Sequence, residues 1–313
     1  MSQAKKAATA IAKKKATAPC PATEKYACRQ ELVEMAKQSD DPQTQALGEQ
    51  LEQDIIAEQH AKLAQHTYNA DTAEVPEGWS KVTATPQELE KYGMPARLFR
   101  MKDSDFRAEM YVPDSKMFGN NMHPTIAFKG TDLTPEDVIN NIQNGIGLEA
   151  PYYKRAEEIG LEAKKSGKNI NFTGHSLGGG LASTAAIPSG TPTTTFNAAG
   201  VGPETLIRMG FSRFYDPVNI NAYSLDGDIL TYAQEGLPIP EALGNRIRLP
   251  SDFVDEGPSF WEKTSPPHYV CDRVKMLHER ANYHGIDKVL SALQEQRTQT
   301  QKAVQEAVGK QCP

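Results

Sequence analysis

Asn169-Ile170-Asn171-Phe172-Thr173-Gly174-His175-Ser176-Leu177-Gly178-Gly179-Gly180-Leu181 is the stretch that decides how this chain folds. It contains Gly-x-Ser-x-Gly at 174–178, a pattern of only moderate specificity by itself, so its setting carries the argument. A strand-like run, Asn169 to Thr173, leads into Gly174. Small residues of helical character, Ala182 to Ala186, follow the glycines. Strand, sharp turn, helix is the arrangement of a nucleophile elbow. In such a turn the serine takes a strained backbone conformation that lifts its hydroxyl above the sheet edge. The residues two before and two after it are brought together, and glycines at 174 and 178 remove the side chains that would clash there. The helix N-terminus also directs its partial positive charge at developing negative charge. The bland alternative is a glycine-rich β–α turn contacting phosphate, but neither the dinucleotide fingerprint nor the P-loop spacing is present.

Outward from the elbow, short strands alternate with helical stretches. Phe106, Ala108, Met110 and Val112 alternate onto one face; Thr125 to Phe128, Thr193 to Phe196 and Val218 to Tyr223 read as further strands. Helical segments fall around Asp137 to Gly145, Tyr152 to Lys165 and Gly178 to Ala186. The pattern predicts an α/β fold, a mostly parallel central sheet with helices on both faces, over residues 96–295. Upstream, residues 23–95 form a helical extension and linker. Asp41-Pro42 is a start signal, Leu47, Leu51 and Ile55 lie at helical spacing, and Trp79 to Met94 reads as a connection. Residues 1–22 carry five lysines with no acid and read as a disordered basic arm, with a docking tail as the sharper alternative. Residues 296–313 are glutamine-rich and read as an exposed polar helical tail.

Composition narrows the function. The 313 residues are 38% hydrophobic and 24% charged, with 34 basic against 40 acidic groups for a net charge of −6. That balance disfavours sequence-independent nucleic-acid binding, which needs a basic face. No apolar run approaches the roughly 20 residues of a membrane span. Lysines interrupt the mildly apolar N-terminal stretch, so synthesis in the cytoplasm without a Sec-type signal is expected. Four cysteines (Cys20, Cys28, Cys271, Cys312) are too scattered for a disulfide scaffold, although Cys20 and Cys312, near the two ends, permit a staple.

A serine nucleophile needs a base, an acid that orients the base, and donors for the oxyanion. On this fold the order is Ser, Asp or Glu, His. Asp226 and Asp228, both just after the Val218–Tyr223 strand, are candidate acids. The histidines that follow are His268, His278 and His284. His284 lies in a loop before Gly285 and the helix that starts at Ile286, where an imidazole can reach the site; His278 reads as an exposed helical residue. A metal site from His268, Cys271, His278 and His284 matches no common ligand spacing, and the serine chemistry needs no metal or other cofactor.

Thr125-Ile126-Ala127-Phe128-Lys129-Gly130-Thr131 resembles the Phe-Arg-Gly-Thr strand end of the class 3 (fungal-type) lipases among the α/β-hydrolases, with lysine in place of arginine. Gly174-His175-Ser176-Leu177-Gly178-Gly179 is similar to that family's elbow, and Asp228-Ile229-Leu230 resembles the segment bearing its acid. The resemblance covers roughly residues 97–293. It implies a catalytic Ser176, Asp228 and His284, with Asp226, His278 and His268 as alternates, and an oxyanion hole of the Thr131 and Leu177 amides. The family's continuation after Leu230 is absent. The Asp137–Gly145 segment and the lysine-rich arm ending in Cys20-Pro21 resemble bacterial type VI secretion lipase effectors. That resemblance implies secretion, action on a target-cell membrane, a secretion-apparatus partner and a cognate immunity protein.

The reading is a serine-dependent lipase or phospholipase A-type carboxylic ester hydrolase acting on membrane phospholipids or acyl lipids. The alternatives are a non-catalytic interaction protein on a hydrolase scaffold and an intracellular esterase of small acyl esters. Within residues 251–267, Phe253, Phe260 and Trp261 serve either as a lid and lipid-contacting rim or as loop residues tucked into the body.

Overall fold

In a computed structural model the described residues are 20–83, 85–132, 150–215, 217–254 and 275–312. The basic arm up to residue 19, the expected helical segment Asp137–Gly145, Phe260, Trp261, His268 and Cys271 lie outside them. Seven strands form one sheet in sequential order: β1 Trp79–Lys81, β2 Ala108–Pro113, β3 Thr125–Phe128, β4 Asn171–His175, β5 Thr193–Phe196, β6 Ile220–Leu225 and β7 Asn245–Leu249. The first two pairings are antiparallel and the remaining four are parallel. This is the mostly parallel α/β sheet expected from the alternating pattern.

Alternation along each strand sends side chains to two helical layers. Ala108, Met110, Ile126, Phe128 and Phe172 meet Tyr153, Ala156, Ile159, Leu181 and Ala185 of helices Ala150–Ser166 and Leu177–Ser189 on one face. The opposite face is covered by α1 (Ala22–Lys37), α2 (Pro42–His66) and the last helix, Ile286–Val308. Asp41 caps α2 as its sequence predicts, accepting from the Thr44 amide at 3.0 Å and its hydroxyl at 2.7 Å.

Several expectations need correction. Trp79–Met94 is not merely a connection. Trp79–Lys81 is the edge strand and Pro86–Lys91 is a helix, so the sheet begins upstream of residue 96. Three residues are too few to register as alternation, and Trp79 is fixed by tertiary contacts: its ring lies 5.3 Å from Phe118 and its indole N–H donates to Gln59. The sixth strand starts at Ile220 rather than Val218, which sits in a turn, 97% exposed.

The glutamine-rich C-terminus docks along one stripe, while Gln294, Glu295, Thr298, Gln299 and Lys302 stay exposed. The helix runs unbroken from Ile286 to Val308, and Gln296 and Thr300 donate to the buried Asp54 of α2 while Arg297 pairs with Glu58. The docked stripe of Gln296, Arg297 and Thr300 is satisfied by buried carboxylates, an arrangement that hydrophobic periodicity does not register.

The staple also differs from the one the chain ends suggest. Cys28 pairs with Cys312 across 284 residues, and Cys20 is free. Cys28 lies on α1, whose packing brings its Cα to 5.7 Å from that of Cys312, within bridging range. Because the bridge closes nearly the whole chain, Cys28→Ser is expected to cost about 3 kcal/mol of stability. Denaturant unfolding checks this, with Cys20→Ser as the neutral control. Among the described residues no helix is long and apolar enough to cross a membrane.

Candidate active site

The edge of the sheet where β4, β5 and β6 end gathers the polar groups. Ser176 links β4 to the Leu177–Ser189 helix with φ 58° and ψ −127°, a conformation rare for a residue with a side chain. Four backbone hydrogen bonds hold it there. Its amide donates to the Phe196 carbonyl, and its own carbonyl accepts from Gly179, Gly180 and Ala199. The turn closes because residues 174 and 178 lack side chains. A Cβ on Gly174 would collide with the Gly178 carbonyl, and one on Gly178 with the Phe128 carbonyl at the end of β3.

The Ser176 hydroxyl lies 2.8 Å from Nε2 of His284, and Nδ1 of His284 lies 2.7 Å from Oδ1 of Asp228. All three are buried: Ser176 is 8%, His284 7% and Asp228 1% exposed. His284 occupies the short loop between helical residues 275–282 and the helix from Ile286. Asp228 follows β6 and caps the Ile229–Gly236 helix, its second oxygen accepting from the Thr231 amide at 2.7 Å and the Thr231 hydroxyl at 2.6 Å. Burial, the largest single influence, pushes the Asp228 carboxyl up. The His284 charge and hydrogen bond and the two Thr231 donors outweigh it, so the carboxyl stays below its usual range and is ionised.

The structure thus brings Ser176, Asp228 and His284 together and leaves the alternates apart. Asp226 turns outward, 3.6 Å from the Arg248 guanidinium, and His278 sits half-exposed on the helical run 275–282. His268 lies outside the described residues. Leu177 is the first residue of the elbow helix, and Thr131 follows β3 and Gly130 on an exposed loop. Gly174 and Gly178 make the contacts the elbow requires. Phe253 is half-buried beside Gly227 and Arg280, whose guanidinium lies between the Phe253 and Tyr232 rings at 4.4 and 4.1 Å. Among the described residues no three His, Cys, Asp or Glu side chains gather as metal ligands.

Two residues that sequence reasoning missed belong to this arrangement. Thr231 neutralises the far oxygen of Asp228. Asn197, buried at the end of β5 with φ 40°, donates to the carbonyls of Tyr283 (3.2 Å) and His284 (3.1 Å) and accepts from the Leu225 amide. It ties the ends of β5 and β6 to the histidine loop. An asparagine at a strand end is a weak signal, because that residue commonly bonds its own turn.

His60 and His175 are also buried, and both are neutral. Burial pushes His60 down to about 4 and, with the neighbouring His284 charge, His175 down to about 3. His60 is held between α2 and the sheet, 3.0 Å from the Thr194 hydroxyl. Below pH 6.5 the unfolded chain binds protons that the folded chain refuses, so stability falls as pH drops from 6.5 toward 4 for His60 and toward 3 for His175. Each group is expected to cost about 2 kcal/mol by roughly pH 5. Urea unfolding at pH 7 and pH 5 checks this, and equal midpoints would refute it.

The family described as phospholipase-like, Tle-like phospholipase domain, matches residues 59–252. An extracellular phospholipase A1 of Serratia liquefaciens is 34% identical over 194 residues, covering 60% of this chain and 57% of that protein, so the chain spans little more than half of the relative's length. A solved Rhizomucor miehei lipase propeptide complex is 14% identical and covers 63% of this chain and 68% of its own, with a TM-score of 0.37. With the family matched across more than half of its length, from the end of α2 through β7, this chain belongs to the Tle-like phospholipase domain family.

Proposed function

We propose that the protein is a serine hydrolase of carboxylic esters in acyl lipids, with phospholipids at a membrane surface as its substrates. The observation that carries this reading is the unbroken hydrogen-bonded line from the Ser176 hydroxyl through His284 to Asp228. Ser176 Oγ attacks the ester carbonyl while its proton passes to Nε2 of His284. The ionised Asp228 holds the imidazole through Nδ1 and stabilises the imidazolium that forms. The carbonyl oxygen becomes an oxyanion that accepts from the Thr131 and Leu177 amides, each such donor worth about 2.7–4 kcal/mol in comparable enzymes. The imidazolium then protonates the departing alcohol, and water hydrolyses the acyl-serine by the same route in reverse.

Membership of the Tle-like phospholipase domain family and the likeness to a phospholipase A1 support phospholipid as the substrate class. The Cys28–Cys312 disulfide supports work in an oxidising compartment, as does the extracellular site of action in that relative's name. A role as a secreted antibacterial effector follows from this reading, with a secretion-apparatus partner and an immunity protein in the producing cell. The direct test uses the purified chain, a fluorophosphonate probe and phosphatidylglycerol–phosphatidylethanolamine vesicles. The wild type is expected to take the label and release fatty acid, and Ser176→Ala to do neither. Equal fatty-acid release by the variant would refute the assignment.

A further inference from the structure

We propose that Tyr68 and His175 are positioning residues, a side-chain chain that holds the oxyanion loop, the elbow and the His284 loop in one register. The inference rests on the serine-hydrolase reading and adds two residues to it. His175 precedes the nucleophile in β4, and alternation along that strand turns its ring toward the α2 layer, where it is 5% exposed. A buried imidazole must find partners for both nitrogens. It has them: Nδ1 lies 2.7 Å from the Tyr68 hydroxyl and Nε2 lies 2.6 Å from the backbone carbonyl of His284.

The chemistry of the partners fixes the direction of the chain. A carbonyl oxygen accepts only, so Nε2 of His175 carries the hydrogen, Nδ1 is an acceptor, and Tyr68 donates to it. The Tyr68 hydroxyl in turn lies directly against Gly130, the residue before Thr131. Contact is close enough there that a Cβ on Gly130 would strike both the Tyr68 hydroxyl and the His175 carbonyl. Burial keeps His175 neutral at working pH, so this tautomer persists.

One hydroxyl and one imidazole therefore connect Gly130, the elbow and the loop bearing His284. The final hydrogen bond is to the backbone of His284, and the two imidazole rings lie 4.9 Å apart, centroid to centroid. That carbonyl receives a second side-chain donor, Asn197 Nδ2, from the end of β5. With its backbone held from two strands, the His284 ring rests between Ser176 and Asp228. Tyr68 lies on the short 3-10 turn Thr67–Asn69 directly after α2, which gives the N-terminal helical layer a role at the site: it delivers this hydroxyl.

The contact with a backbone carbonyl makes a specific prediction. Loss of the chain displaces the imidazole, and a misplacement near 1 Å can cost about 100-fold in rate. Tyr68→Phe is expected to lower kcat on p-nitrophenyl butyrate by about 10- to 100-fold, with KM within about twofold, at temperatures where the variant is folded. The rate of fluorophosphonate labelling should fall in parallel. His175→Gln keeps an amide N–H where Nε2 sits and should retain a larger share of kcat than His175→Leu.

Tyr68→Phe with kcat and labelling rate within twofold of wild type would overturn the inference and leave the Ser176 assignment intact. Should Tyr68→Phe not fold, the His175 pair carries the test, and equal kcat for the Gln and Leu variants would overturn the inference. Wild-type protein that takes no label and hydrolyses no ester marks failure of the underlying reading, and is seen before any variant is made.

Discussion

Asp228→Asn is expected to lower kcat by about 10⁴-fold while the protein still folds. The argument follows from the two sides of this carboxylate. One oxygen accepts from Nδ1 of His284 and the other from the Thr231 amide and hydroxyl. An asparagine oxygen can keep the Thr231 contacts, so the cap of the Ile229–Gly236 helix survives. Its amide nitrogen then faces His284 Nδ1 as a donor, which forces the hydrogen of the neutral imidazole onto Nε2. That nitrogen can no longer accept the Ser176 proton. Folding and catalysis separate at one position because the two oxygens have different partners. The measurement is kcat on a soluble ester beside a thermal unfolding curve. A loss below tenfold in a well-folded variant would remove Asp228 from the triad. Asp226→Asn is the matched control, expected within twofold of wild type because that side chain points away toward Arg248.

Gly178→Ala is expected to destabilise the fold by about 4 kcal/mol or more, well above the typical core substitution. The added Cβ would meet the Phe128 carbonyl and the backbone of Lys129, neither of which can rotate away as a side-chain tip can. The elbow helix would have to lift from β3, drawing the Leu177 amide away from the Thr131 loop. Activity should therefore be lost together with stability. Gly190→Ala, at the left-handed C-terminus of the same helix, has open space around its Cβ and should cost only about 1 kcal/mol. Urea unfolding of the two variants checks the contrast, and equal midpoints would show that close approach does not set the glycine at 178.

The two predictions probe different links. Asp228→Asn leaves packing intact and changes the proton inventory of one nitrogen. Gly178→Ala keeps the Ser176, Asp228 and His284 side chains and moves the backbone that aims them. The Tyr68 variant falls between these, acting on geometry through hydrogen bonds.

The chain alone determined what local rules can carry: an α/β sheet, a strained serine at a strand–helix turn, glycines where two backbones meet, and the capped start of α2. Each depends on residues within a few positions of one another, so spacing reveals it. Tertiary structure decided which distant groups share a site. It selected Asp228 over Asp226 by turning one carboxylate inward and the other toward Arg248, and it set His284 rather than His278 against Ser176. It also decided that Cys28 meets Cys312, that a glutamine-rich helix docks on Asp54 and Glu58, and that Tyr68 reaches His175 across 107 residues. Polar contacts of this kind leave no periodic trace in a sequence. A hydrogen bond needs only one donor and one acceptor at the right distance, and packing of whole layers sets that distance.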